Sequence, residues 1–156
     1  MYLTSPRHLP SITELHEYWH SRRAGRPMPS RADIDPADIR HLLPAIALVD
    51  IEPEPFRVRY RLVGTRLVQD MGHDYTGLYL DELRFDRPDE LAALYRRAAE
   101  GKAPTFRSGT WRRPDGIVWG FETAILPLSD DGTHVSQCLA IEDFNDVRDA
   151  GFLASS

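Results

Sequence analysis

Polar and apolar residues alternate most clearly at Arg57–Val63, where Arg57, Arg59 and Arg61 interleave with Val58, Tyr60 and Leu62. A period of two puts guanidinium groups on one face of a strand and apolar groups on the other. Gly64-Thr65 ends that strand, and Arg66 to Met71 reads as one short helical stretch. Gly72, Asp74, Thr76 and Gly77 then punctuate the chain. The two glycines read as backbone-imposed choices, because glycine accepts positive φ without steric cost. Asp74 reads as a cap on the backbone amides of Thr76 and Gly77. A strand feeding glycine-broken helical pieces suits the wall of a pocket.

The other elements follow in order. Ser11 with Glu14 makes a capping-box pattern that opens a helix to about Arg23, with Ile12, Leu15 and Trp19 on one stripe and Gly25 as its stop. Asp35-Pro36 opens a second, short helix that ends before Pro44. Ala45 to Ile51 is β-prone, and Pro53-Glu54-Pro55 turns it back into the arginine-bearing strand. Pro88, Asp89 and Glu90 start a longer helix whose stripe is Leu91, Leu94, Tyr95 and Ala98, closed by Gly101. Strands are expected near 105–112, 117–126 and 134–141, separated by Asp-Gly turns, and Asp143 to Asp149 is expected to leave the sheet. Short turns favour antiparallel pairing, while the central helical block must cross the sheet. The fold class is therefore α+β: a five-stranded antiparallel sheet with helices on one face. A helical extension at 1–44 precedes this domain at 45–146, and a tail at 147–156 follows it.

Composition narrows the function. A chain of 156 residues with 42% hydrophobic residues is long enough to bury an ordinary core. Its net charge of −5, with arginines scattered in pairs, gives no concentrated basic face for nucleic acid. The lone cysteine, Cys138, permits no internal disulfide and no multi-cysteine metal site. It reads as a buried, inert thiol. With no signal-peptide run and no apolar stretch of membrane-spanning length, a cytoplasmic protein is expected.

Several landmarks together resemble a PAS domain over about 45–146. These are the glycine-bounded segment from Gly72 to Gly77, the helix ending at Gly101, and Arg113-Pro114-Asp115-Gly116. Pro127 at a strand end, the stretch Asp131 to Val135, and the acidic Asp143-Phe144-Asn145-Asp146 complete them. The whole chain is similar to a subfamily of small, often single-domain bacterial PAS-like proteins. Tyr18-Trp19, the run from Gly25 to Pro36, Leu43-Pro44, and Tyr60 to Thr65 carry that likeness. The resemblance implies a sensory or regulatory module, sometimes with a ligand between helices and sheet. A covalent flavin sensor of this family uses a cysteine in the helical segment, and a haem sensor uses a histidine on or near the long helix. Neither stands here, so no flavin and no haem is expected.

Strand alternation nominates the ligand wall. Trp119, Phe121, Thr123 and Ile125 share one face of their strand, as do Leu139 and Ile141 of the last. Tyr60, Leu62 and Tyr75 come from the first half, and Leu91, Leu94 and Tyr95 from the long helix. These side chains either line a small-ligand site or fill a close-packed core. The Ile12–Leu15–Trp19 stripe covers the chain's own sheet or pairs with a second copy. Flanking helices of PAS domains commonly mediate dimers, and by that resemblance a homodimer through this stripe is expected. Without a recognisable output module, the signal is expected to leave through contact with an unidentified signalling protein. The competing reading is a small isomerase or hydrolase using His73-Asp74 as an acid–base pair. His16 and His20, one turn apart, read as helix surface, with no metal.

Overall fold

A computed structural model describes residues 8–85, 87–112 and 115–146. Residues 1–7 of the expected loose N-terminus, Arg113-Pro114 of the turn motif and the tail at 147–156 lie outside the described residues. Five strands, β1 (Ile46–Pro53), β2 (Phe56–Val63), β3 (Thr105–Arg112), β4 (Val118–Leu128) and β5 (Gln137–Asp146), form one antiparallel sheet. Its order is β2-β1-β5-β4-β3. The β1–β2 hairpin makes one side. Helix α2 (Thr65–Met71), a 3-10 turn at Leu80–Glu82 and helix α3 (Pro88–Gly101) then carry the chain to the far edge. From there β3, β4 and β5 wind back, so that β5 lies against β1.

Both faces of the sheet are covered. One face packs against α1 (Pro10–Ser21) and the 3-10 run Pro36–Ala45, through Ile46, Leu48, Ala124, Leu126, Leu128, Leu139 and Ile141. The other packs against α2 and α3, through Ala47, Val49, Val58, Tyr60, Ile125, Cys138 and Ala140. A strand buried on both sides loses its polar alternation, which is why β4 ends as the unbroken apolar run Ala-Ile-Leu-Pro-Leu.

The first helix corrects two expectations. Ile12, Leu15 and Trp19 are all buried within this one chain, and the Trp19 indole N–H donates to the Pro127 carbonyl at 2.8 Å. The stripe nominated as a dimer interface therefore faces its own sheet and is not free for a second copy. The capping box also fails. Leu9 caps the helix and Pro10 is its first residue, while the Ser11 hydroxyl donates to Asp143 at 2.6 Å. Glu14 meets His41 instead, at 2.5 Å. Buried Glu122 on β4 anchors the entry to α1, accepting the Leu9 N–H at 2.8 Å and meeting the His8 ring. The run opened by Asp35-Pro36 is 3-10 in character and passes through Pro44 to Ala45.

Smaller differences have local causes. Lys102, not Gly101, takes the left-handed conformation after α3 (φ 56). Asp143 to Asp146 stay in the sheet, paired with 119–122 of β4, and lengthen β5 beyond its expected end. Gly64 starts α2 where a Cβ would lie 2.3 Å from the Leu43 carbonyl oxygen, so close backbone approach is what requires glycine there. The outer edge of β2 does not stay open. Tyr60 donates its N–H to Leu78 at 2.9 Å and accepts that of Gly77 at 2.6 Å, which covers an edge that could otherwise template pairing.

Candidate functional site

The face under α2 and α3 does not close completely. A cavity of about 610 Å³ remains between sheet and helices. Its floor is three registered rows. Arg107 on β3 pairs with Thr123 on β4, which pairs with Glu142 on β5. One step toward the sheet's end, Gly109 pairs with Phe121 and Phe121 with Phe144. One step the other way lie Ala140 on β5 and its partner Ala47 on β1, with Ile125 of β4 in the core beside them. A polar row thus crosses an apolar floor. Leu67 and Met71 of α2, Leu91 and Tyr95 of α3, and Tyr75 and Phe85 from the connecting segment form the opposite wall.

Ring contacts order that wall. Tyr60 meets Tyr75 edge-to-face with centroids 4.9 Å apart, and Tyr75 meets Phe85 at 5.6 Å, a geometry the ring quadrupoles favour. The Tyr60 and Tyr95 hydroxyls approach to 3.4 Å. Burial holds both phenols protonated, far above the usual range. On the floor, the Thr123 hydroxyl donates to the Glu142 carboxyl at 3.1 Å. Burial pushes that carboxyl above the ordinary glutamate range, against the weaker opposing pull of Thr123 and Arg107. The Arg107 guanidinium lies over the Phe121 ring at 5.2 Å, and the ring has room because position 109 is glycine: a Cβ there would stand 2.9 Å from it. At the rim, burial also raises the Asp70 carboxyl. Arg66 of α2 donates to the Glu142 carbonyl and, at 3.0 Å, to the Asp143 carboxylate.

Of the residues nominated from alternation, Tyr60, Tyr75, Leu91, Tyr95, Phe121 and Thr123 border the cavity. Leu94 and Ile125 are buried in the core beside it. Leu139 packs under α1, and Ile141, though along the rim, has its side chain in the same opposite core. The parity of β5 is therefore one residue out from that expectation. Cys138, Ala140, Glu142 and Phe144 face the cavity side, and the larger aliphatic residues serve α1. Leu62 also faces away and is 55% exposed. A register shift between Leu48 and Val49 leaves Arg61 unpaired, so Leu62 lies opposite Leu48 of the α1 face. Such a bulge flips every side chain beyond it. Trp119 lies outside the cavity lining. Arg107, Glu142, Phe85 and Phe144 were missed. An acidic residue inside an apolar strand was the available signal for Glu142.

His73 and Asp74 do not meet as an acid–base pair. The Asp74 carboxylate accepts the Thr76 N–H at 3.0 Å and its hydroxyl at 2.7 Å, which holds its proton affinity below the usual range. The Gly77 amide, expected to share this turn, goes to Tyr60 instead. Both glycines take positive φ, 93° and 90°. His16 is not plain helix surface: its ring meets Phe106 edge-to-face at 5.3 Å. Among the described residues no group of three His, Cys, Asp or Glu stands ready for a metal, and no helix is long and apolar enough to cross a membrane.

The sheet and the helices packed on it agree with what the chain matches among known proteins. The profile of the PAS domain family matches residues 7–141, and the chain belongs to that family. Its fold is similar to a light-oxygen-voltage domain studied with a flavin analogue, with a TM-score of 0.52 and 15% identity over 76% of this chain and 92% of that one. It is similar also to the light-state structure of the light-oxygen-voltage domain of the blue-light photoreceptor Aureochrome1 (TM-score 0.50, 12% identity, 76% of this chain and 94% of that one). At such identities the likeness is one of fold alone. No curated protein matches the chain. A flavin–thiol adduct does not fit this cavity. Cys138 is sealed in the core, outside the lining, and burial pushes its thiol far up. The expectation of no flavin rests on that thiol alone and does not extend to a flavin held without a covalent bond.

Proposed function

We propose that the chain is a PAS-type sensory module that takes up a small molecule between sheet and helices and signals by protein contact. The observation that carries this reading is the cavity: about 610 Å³ crossed by a polar row in an otherwise apolar core. Concave, largely apolar space with a few convergent polar groups is the usual form of a ligand site. A route outward supports it too. Arg66 lies on α2 beside the rim residues, and its partner Asp143 also accepts from Ser11 of α1. A shift of α2 on ligand entry would thus pull on the far face of the sheet. We favour binding over catalysis because the Asp74 carboxylate is occupied by Thr76.

Native mass spectrometry, repeated under denaturing conditions, tests the reading and reports the subunit count. A mass excess that vanishes on denaturation is expected, as is its loss in Ala140→Met, which fills the floor. Protein without bound mass, whose melting temperature no member of a metabolite and flavin panel raises, would overturn it. A dimer in the same spectrum would be formed by a surface other than the Ile12–Leu15–Trp19 stripe.

A further inference from the structure

If the cavity holds a ligand, as proposed above, its floor narrows the ligand's chemistry. We infer that it takes a small aromatic monocarboxylate, with the ring among the aromatic side chains and the carboxylate on the Arg107 guanidinium.

Arg107 is a cation without a full partner. Its side chain is 14% exposed, and its nearest carboxylate, Glu90, stands 3.7 Å away. Glu90 is half-exposed and also serves Arg87 at 3.5 Å. Two guanidiniums sharing one carboxylate leave a net positive charge. The Arg107 Nε is buried and has no hydrogen-bond partner among the described residues. A buried charged donor left unmade is a standing demand for an acceptor. The planar guanidinium fork matches a carboxylate in two parallel hydrogen bonds.

The acids nearby compete weakly for it. Glu142 lies two strands away in the same row, roughly 10 Å between backbones at ordinary strand spacing. Burial disfavours its charged form and that of Asp70. Asp70 also has Arg66 at 4.0 Å. Exposed Arg84 at the rim adds positive charge to the approach. An incoming anion therefore meets one buried cation and a second cation at the entrance, beside acids whose charged form burial disfavours. The apolar remainder specifies the rest of the molecule. Phe121 lies under Arg107, and Tyr60, Tyr75 and Phe85 form an edge-to-face cluster. A flat ring can join such a cluster, and the cavity's volume admits one or two fused rings.

The test is calorimetric titration of the full chain at pH 7 with benzoate and 2-naphthoate. Their neutral amides and cationic benzamidine serve as comparison probes. At least one acid is expected to bind tenfold or more tightly than its amide, with the preference abolished in Arg107→Gln. Equal binding of acid and amide by the unaltered chain, which requires no variant to fold, would overturn the carboxylate class and leave the cavity reading standing. So would tighter binding of benzamidine, or a preference that survives in a folded Arg107→Gln. Should no probe bind and native mass spectrometry show no bound mass, both this inference and the cavity reading fail together.

Discussion

Replacing Leu15 with alanine decides whether α1 belongs to the fold or to a neighbouring molecule. Leu15 is fully buried, in a cluster that includes Ala124, Leu126 and Leu128 of the sheet. Truncating a buried leucine to alanine costs about 2.7–5 kcal/mol, the lost transfer energy plus a cavity that the surroundings fail to fill. A hydrogen-bonded sheet on one side collapses poorly, but a helix end on the other can shift, so about 3 kcal/mol is expected. In a chain of this length each kcal/mol moves the melting temperature by about 2–4 °C, giving a fall of roughly 6–12 °C. The assay is urea unfolding and differential scanning calorimetry at two protein concentrations. Fluorescence and far-UV dichroism should move together, with a loss of the same size at both concentrations. A loss under about 1 kcal/mol, or one whose size changes with protein concentration, would refute the packing of this stripe on its own sheet.

Three further outcomes follow from the geometry. Glu142→Gln should raise stability at pH 7–8 and leave it unchanged near pH 4. Because the folded carboxyl titrates above the unfolded one, its contribution is full below the unfolded value and is lost as pH rises through the folded value. A stability difference that grows toward acid would sink this account. Gly64→Ala should destabilise far more than Gly72→Ala. The first drives a Cβ to 2.3 Å from a backbone oxygen, while the second meets open space and only the strain of φ 93, about 1–2 kcal/mol; equal losses on chemical denaturation would contradict the close approach. Arg66→Ala should cost only about 1 kcal/mol, yet speed amide hydrogen exchange in the first turn of α1. No change there would break the proposed link from cavity to α1.

Much of the fold was legible because it is locally encoded. The alternation of Arg57–Val63 marks β2, the pattern from Pro88 to Gly101 marks α3, and the positive-φ glycines mark the turns. Each depends on residues a few positions apart, so each can be read before anything is packed. The candidate site was half legible for the same reason. Tyr60, Tyr95, Phe121 and Thr123 are legible by periodicity within single elements. Arg107 and Glu142 join them only through the register of three strands, which no local pattern reports.

What tertiary structure alone decided is which face of each element is covered by what. A strand with two buried faces offers two apolar sides, and its sequence does not say which meets α1 and which meets α3. Leu139 and Ile141 went to α1, so Ala140 and Glu142 were left to the cavity. One unpaired residue at Arg61 then sent Leu62 to the face opposite Tyr60. Likewise Ser11 and Glu14, a capping pattern by spacing, found Asp143 and His41 once the sheet stood beside them. Hydrophobic pattern specifies that a side chain must leave water; only the assembled packing specifies where it goes.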